Sequence, residues 1–122
     1  MNRDLSIVRA ILLQIEASDT DPLEWVEVEV PGASEALVSY HVQIMDEAGL
    51  VVASDESTMG RSSWVPNRLT WNGHEFLDAV KDEDVFKETQ GRIARVAGWS
   101  FPIVLEIATA LVKEKLGLPG SP

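Results

Sequence analysis

The chain has 122 residues, of which 45% are hydrophobic and 25% charged, a balance typical of one globular domain with its own core. It contains no cysteine, which excludes disulfides, thiol catalysis and thiolate metal sites. The 20 acidic residues outnumber the 10 Lys and Arg, and the net charge of -10 disfavours binding to phosphate backbones and anionic membranes.

The charges are unevenly distributed along the chain. No Lys or Arg occurs between Arg9 and Arg61, whereas acidic residues recur throughout that interval. This acidic half is either a well-solvated surface or a surface that attracts a basic partner. No apolar run approaches the roughly 20 residues of a membrane span, and residues 1–4 lack the features of a secretory signal. The sequence therefore predicts a cytoplasmic protein that does not bind membranes.

The N-terminal part predicts one core helix and one strand. Asp4 is a suitable N-cap for a helix over residues 5–17, in which apolar residues recur at helical spacing. Residues 18–22 are turn formers and end this helix. In residues 25–30, valines alternate with glutamates, which is the period of a strand with one buried face.

The central stretch, residues 34–52, predicts a helix that runs into a strand. Gly49 ends the helix in a left-handed conformation, and residues 50–53 have strand composition. At about 100° per residue, the apolar positions share one side. That packing side contains Leu37, Val38, His41, Val42, Ile44, Met45 and Ala48. The outward side contains Glu35, Ser39, Tyr40, Gln43, Asp46 and Glu47.

A hairpin and three helices are predicted after the central stretch. Residues 54–63 form a polar loop, and residues 64–70 return as a second strand. Thr70 is a suitable N-cap for the next helix. A further helix is predicted near residues 85–96, with Val85, Phe86, Ile93 and Val96 buried. Ser100 and Pro102 begin the last helix, which runs to Leu116 and is closed by Gly117.

The order of these elements resembles that of a winged-helix domain. Residues 38–51 are similar to the recognition helix and first wing strand of bacterial winged-helix repressors, including the arsenic-repressor-like group. Nearly the whole chain also resembles a bacterial and phage family known as a domain of unknown function, numbered 2513. Its most specific part is the block Leu-Thr-Trp-x-Gly-His-Glu-Phe-Leu at residues 69–77. This second resemblance implies a phage or prophage setting.

The predicted fold class is α+β, mainly α, with a winged helix-turn-helix-like domain at residues 1–82. A C-terminal helical pair at residues 83–117 packs on the core or on a second copy of the chain, and residues 118–122 are a disordered tail. One feature departs from the resemblance. Only residues 31–33 separate the strand from the central helix, too few for the positioning helix that precedes a recognition helix. That helix is absent, reduced to a turn or merged into the central helix, which argues against inherited DNA binding.

Candidates for catalysis or metal binding are few. His41 lies within the apolar stripe and is either a hydrogen-bonded core residue or a base-contacting or pH-sensitive group. His74 and Asp78 have the spacing of a zinc-protease helix. Asp78 replaces the second histidine, however, and no third ligand is evident, so an i, i+4 polar pair is the simpler interpretation. Glu27 and Glu29 lie in an exposed pattern without the differing environments that catalysis needs. The sequence predicts no enzyme, no catalytic residue, no metal site and no cofactor.

The predicted functional surface is a macromolecular contact. It combines the outward side of the central helix with Arg61, Trp64 and Arg68 of the wing. The serine, tyrosine and glutamine of that helix are types that read base edges, but its carboxylates oppose phosphate contacts. Tyr40 and Trp64 either contact a partner or pack within the fold.

Two functional classes follow from this surface. We predict a non-catalytic, phage-associated protein whose acidic face binds a protein partner, preferably basic, and so inhibits or modulates a host nucleic-acid-binding factor. The alternative is a winged-helix transcriptional regulator that binds DNA. The last helix is apolar enough to form a homodimer, and burial within the chain is the other explanation.

Overall fold

A computed structural model describes residues 1–118 and confirms a mixed α+β, mainly helical protein. Within those residues, five helices accompany one two-stranded antiparallel sheet. Of the predicted disordered tail, residues 119–122 lie outside the described part of the chain. The elements are α1 (Leu5–Ala17), α2 (Glu35–Glu47), β1 (Val51–Asp55), β2 (Trp64–Leu69), α3 (Trp71–Val80), α4 (Glu83–Ile93) and α5 (Phe101–Lys115).

The chain forms two compact units, Met1–Glu75 and Phe76–Pro122. The division falls within α3, whereas the sequence predicts a boundary after residue 82. The first unit contains α1, α2, the hairpin and the first turn of α3, and the second contains the rest of α3 with α4 and α5.

Helices α1 and α2 begin where the sequence predicts because each has a side-chain N-cap. The Asp4 carboxylate accepts the Ser6 N–H at 2.8 Å, and the Ser34 hydroxyl accepts the Leu37 N–H at 3.1 Å. Gly49 follows α2 with a φ of 77°, as predicted for a left-handed residue. The two helices pack on each other. The centre of this core consists of Val8, Ile11, Leu12, Val42 and Met45, all with no exposed surface.

His41 joins the start of α1 to α2. Its ring is fully buried, and both ring nitrogens are hydrogen-bonded. Nε2 accepts the Asp4 backbone N–H at 2.9 Å, and Nδ1 donates to the Leu37 carbonyl oxygen at 2.8 Å. Because an amide N–H only donates and a carbonyl only accepts, the neutral Nδ1–H tautomer satisfies both partners. The core interpretation is confirmed, and the alternative of a base contact is wrong because the ring is not accessible.

The predicted strand at residues 25–30 is wrong, although the segment is extended. Burial alternates as expected, with Val26 buried and the glutamates exposed. Among the described residues, however, the segment makes one backbone hydrogen bond to β2, from the Val26 N–H to the Pro66 carbonyl at 2.8 Å. Pro66 has no N–H to donate in return. A regular ladder therefore does not form.

Side-chain amides complete the attachment of this extended segment. The Asn67 amide donates to the Glu24 carbonyl oxygen at 3.1 Å. The Gln14 carboxamide donates to the Glu29 carbonyl at 2.7 Å and accepts the Glu29 N–H at 3.0 Å. The segment therefore lies beside β2 and is held at one end by α1.

A turn occupies the position between this segment and α2. The Ala33 N–H donates to the Val30 carbonyl at 3.0 Å, and α2 begins two residues later. The structure has a turn, and no helix, between residues 30 and 35.

The hairpin forms as predicted, with Val51 opposite Leu69 and Asp55 opposite Trp64. Its register shifts between Val52 and Ala53, because Asn67 of β2 has no partner in β1 and forms a β-bulge in β2. The first unit thus consists of two packed helices and a hairpin that contacts both of them.

The junction between β1, β2 and α3 accounts for the most specific sequence block. The Thr70 hydroxyl accepts the Gly73 N–H at 3.0 Å and donates to the Gly49 carbonyl at 2.5 Å. The Thr70 N–H donates to the Leu50 carbonyl at 3.0 Å. Gly73 is buried so close to that carbonyl that a Cβ at position 73 would overlap its oxygen. Threonine therefore caps α3, and glycine permits the close approach of α3 to Leu50.

In the second unit, α4 and α5 pack against each other. The Asp82 carboxylate caps α4 by accepting the Val85 N–H at 3.0 Å. α4 ends at Ile93, earlier than predicted. Val96 consequently lies beyond the helix and is 61% exposed, so its predicted burial is wrong. In α5, the buried residues are Val104 and Ala108, and the other apolar residues are partly or largely exposed.

Candidate partner-binding surface

One face of α2 is exposed at both ends and partly accessible at its centre. Ala36, Tyr40, Gln43 and Glu47 recur at intervals of four, three and four residues and form what we call the α2 ridge. Ala36 and Glu47 are exposed, and Tyr40 and Gln43 are half-buried. Three of the predicted contact residues thus lie on this ridge.

Ser39 does not point outward, contrary to prediction. Its side chain lies under the hairpin, and the residue is 6% exposed. The Ser39 hydroxyl accepts the Trp64 backbone N–H at 2.8 Å and lies 3.4 Å from the Ser62 hydroxyl. The start of β2 is therefore attached to α2 at Ser39, and Trp64 is half-buried.

Asp46 is also bound to the hairpin. Its carboxylate accepts the Ala53 N–H at 3.0 Å, opposite the β-bulge of β2. This N–H lies where the register shifts, so Asp46 supplies an acceptor where the ladder is irregular. Ser39 and Asp46 are polar because they bind the backbone of the hairpin.

Arg61 and Glu35 form an ion pair at 2.8 Å between the hairpin tip and the start of α2. The tip is a tight turn in which Thr58 and Arg61 exchange two backbone hydrogen bonds, and Gly60 has a φ of 82°. The side chains are 69% and 89% exposed, so the pair stabilises the fold by at most about 1 kcal/mol. The pair nevertheless offsets the charge of Arg61 at the hairpin tip.

Arg68 lies on β2 and lines an open groove. Its guanidinium donates to the Leu69 carbonyl at 3.1 Å. The groove has a volume of about 540 Å³ and also contains Glu16, Trp71 and His74. Trp71 is 76% exposed, and its indole N–H donates to the adjacent Glu75 carboxylate at 2.7 Å. The groove thus combines both signs of charge with an accessible aromatic ring.

Metal-binding clusters and membrane-spanning helices are absent from residues 1–118. No group of three or more His, Asp or Glu side chains in that range is placed to hold a metal ion. No helix in the same range is long and apolar enough to cross a bilayer. His74 and Asp78 are both exposed on α3.

A second exposed feature escaped the sequence interpretation. Leu23 is 89% exposed and Trp25 is 52% exposed, on the turn and extended segment that follow α1. Glu24, Trp25 and Glu27 line a shallow concavity of about 350 Å³. The alternation of residues 25–30 could have revealed this feature. In an alternating segment, Trp25 lies on the same face as the exposed Glu27 and not on the face of the valines. We call Leu23, Glu24, Trp25 and Glu27 the acidic-aromatic strip.

The first unit is acidic over both features. The chain has no Lys or Arg from residue 10 to residue 60, an interval that includes the acidic-aromatic strip and the α2 ridge. At the end of β1, hydrogen bonds from the hydroxyl and N–H of Ser57 lower the pKa of Asp55 below its ordinary value. This carboxylate therefore stays ionised at neutral pH and adds to the negative charge of the hairpin loop.

These elements define a mixed α+β protein in which a hairpin is attached to a central helix by Ser39 and Asp46. The chain matches the family described as a hypothetical protein, DUF2513, over residues 2–100, and it belongs to that family. It is also 27% identical over 117 residues to an uncharacterized protein of Haemophilus influenzae. The aligned region covers 95% of this chain and 99% of that protein. No solved structure matches the chain.

Proposed function

We propose that this chain is a non-catalytic winged-helix protein of phage or prophage context that binds a basic protein through the acidic surface of its first unit. The order α1, extended segment, α2, β1 and β2 supports the winged-helix assignment. The hydrogen bond from Val26 to Pro66 supports it further, because the extended segment lies beside β2. The turn at residues 31–33 replaces the positioning helix.

The α2 ridge is the observation that carries this proposal. It offers Tyr40, Gln43 and Glu47 to a partner but no cation. Arg61, which follows it on the wing, is already paired with Glu35. Phosphate contacts supply essentially all non-specific affinity for DNA. A ridge that has no such contact and carries negative charge is better suited to a basic protein, whose approach it accelerates electrostatically.

DNA binding is the second candidate, favoured by one observation. Tyr40 and Gln43 are partly accessible on one helix face, and glutamine is a residue type that pairs with adenine in the major groove. Arg68 is exposed on β2 and would supply a phosphate contact.

Charge reversal on the ridge separates the two functions. Glu47→Lys should slow association with a basic partner several-fold at low salt, because it removes electrostatic steering. Glu114→Lys is the matched control, since it makes the same change in net charge at an exposed helical position of the second unit. Recovery of basic proteins from host lysate, quantified by mass spectrometry, should fall for Glu47→Lys and remain unchanged for Glu114→Lys.

A gel shift on the flanking genomic DNA across salt concentrations completes the test. The DNA-binding regulator would be the better explanation if the following two results were both obtained. Glu47→Lys would strengthen a salt-dependent DNA complex, and Arg61→Ala or Arg68→Ala would weaken it and make its salt dependence shallower. In that case Gln43→Ala should also relax the base preference by roughly 1–3 kcal/mol.

A further inference from the structure

The extended segment has one backbone edge bound to β2 and a second edge that is open at Trp25 and Glu27. On the inner edge, Val26 donates to β2 and the Glu24 carbonyl accepts the Asn67 amide. Successive residues of an extended chain point their backbone groups in opposite directions, so those of Trp25 and Glu27 point away from β2. Within residues 1–118, the N–H and C=O groups of Trp25 and Glu27 make no hydrogen bond. The outer edge is therefore open to an extended partner.

Gln14 shows that this outer edge accepts the hydrogen bonds of a neighbouring strand. Glu29 is the next residue of the same parity, and its N–H and C=O are both bound by the Gln14 carboxamide, at 3.0 and 2.7 Å. An amide that donates to the carbonyl and accepts from the N–H of one residue reproduces the paired bonds of an antiparallel ladder. Gln14 thus occupies one position of the edge and marks where an added strand must end.

The side chains beside the open positions select the chemistry of the added strand. Trp25 is 52% exposed, and it lines the concavity together with Glu24 and Glu27. The face of an exposed indole attracts an ammonium or guanidinium group, and the two carboxylates add complementary charge. The absence of Lys and Arg from residues 10–60 means that no cation of that interval competes for the site. Leu23, 89% exposed, adds an apolar contact next to it.

We propose that Trp25 and Glu27 bind an extended segment of a basic protein by β-augmentation, with a Lys or Arg of that segment lying between the indole and the carboxylates of Glu24 and Glu27. This inference rests on the proposed function for the class of partner and adds the mode of recognition. Backbone hydrogen bonds at Trp25 and Glu27 provide the attachment, and alternate side chains of the partner reach the acidic-aromatic strip.

The test uses the full chain and the peptide acetyl-Val-Lys-Val-Lys-Val-Lys-amide, followed by ¹⁵N-resolved NMR. Binding should shift the amide signals of Trp25 and Glu27 and slow their exchange with solvent, because both N–H groups become hydrogen-bonded. A peptide methylated on alternate backbone nitrogens keeps its charge but loses donors on one edge, so it should bind at least tenfold more weakly. The same sequence with Glu in place of Lys should not bind.

Variants of the protein locate the site. Glu27→Pro removes the outward N–H and should weaken peptide binding at least tenfold, whereas Glu27→Gln removes only the charge and should weaken it about two- to threefold. Proline is tolerated at an edge whose N–H faces solvent, and the methylated peptide keeps the test valid if this variant does not fold. Trp25→Ala should weaken binding about two- to fivefold, as expected for an exposed cation–π contact.

The outcomes distinguish this inference from the proposed function. Equal binding of the methylated and unmethylated peptides overturns β-augmentation, as does a set of shifted signals confined to the α2 ridge. The proposed function survives in either case if Glu47→Lys still reduces partner recovery. If Glu47→Lys and Trp25→Ala both leave partner recovery unchanged, the inference and the proposed function both fail.

Discussion

Replacing Gly73 with Ala should destabilise the first unit, even though Ala is the better helix former. In a helix interior, Ala is favoured over Gly by about 1 kcal/mol. At Gly73, however, the added Cβ would overlap the backbone carbonyl of Leu50, which has no flexible side chain that could move aside. Forcing extra volume into a packed site costs roughly 1–3 kcal/mol. Displacing α3 would also weaken the hydrogen bonds from Thr70 to Leu50 and Gly49, each worth about 0.5–1.5 kcal/mol. The net loss should therefore be roughly 1–4 kcal/mol.

Gly91→Ala is the matched control for this prediction. Gly91 lies in α4, is exposed, and a Cβ built there meets no neighbouring atom within 4 Å. The same substitution should there raise the free energy of unfolding by about 0.5–1 kcal/mol. Urea unfolding followed by far-ultraviolet circular dichroism measures both changes. A Gly73→Ala protein as stable as the wild type, with unchanged amide signals at Leu50 and Thr70, would refute the proposed close approach of α3 to Leu50.

Three further predictions concern other parts of the chain. His41→Leu should lower the free energy of unfolding by about 1–3 kcal/mol, because the Asp4 N–H loses its buried acceptor; unchanged urea unfolding would contradict this. The hydrogen bond from Lys115, followed by that from the Val85 N–H, lowers the pKa of Asp82 below its ordinary value. Asp82 therefore stabilises the fold at neutral pH and loses this contribution as the pH falls through its depressed pKa. Lys115→Met should raise the NMR titration midpoint of Asp82, and an unmoved midpoint would exclude this cause. The exposed apolar side chains of α5 predict a homodimer, which light scattering at high micromolar concentration should detect, and a monomer there would exclude it.

Local signals made the helices predictable from the sequence. Asp4 was predicted as an N-cap and Ser100 as the start of the last helix, and each accepts a backbone N–H from the first turn of the helix that follows, as do Ser34 and Asp82. The end of α2 was also predictable from a local signal, because Gly49 has the positive φ that favours glycine. The end of α4 was less predictable, because no glycine or proline marks Ile93.

The extended segment shows why a strand pattern does not guarantee a strand. Alternating burial at residues 25–30 reports that one face packs, and that part of the prediction is confirmed. Whether a ladder forms depends on the neighbouring strand β2, in which Pro66 lacks a backbone N–H donor. The Asn67 amide adds a side-chain bond from β2, and the Gln14 carboxamide binds the opposite edge of the segment. These contacts join residues that are distant in sequence, so periodicity alone could not reveal them.

The candidate surface was predicted only in part for a related reason. A helical wheel gives the direction of the core, but it does not show which neighbour covers the flank of a helix. Ser39 and Asp46 lie on the flank that the hairpin covers, and each accepts a backbone N–H from it. Their polarity reflects this structural role, which the pattern cannot distinguish from exposure.

This distinction decides which substitutions can test binding. Changing Ser39 or Asp46 would leave a hairpin N–H without its acceptor, so a loss of partner binding in those variants would also follow from a displaced hairpin. Glu35 has a related difficulty, because its reversal breaks the ion pair with Arg61. The Glu47 residue is exposed, and its side chain makes no hydrogen bond or ion pair within residues 1–118. Among Glu35, Ser39, Asp46 and Glu47, which were predicted on the outward side of α2, Glu47 is therefore the position where a change in partner association reports on the surface itself.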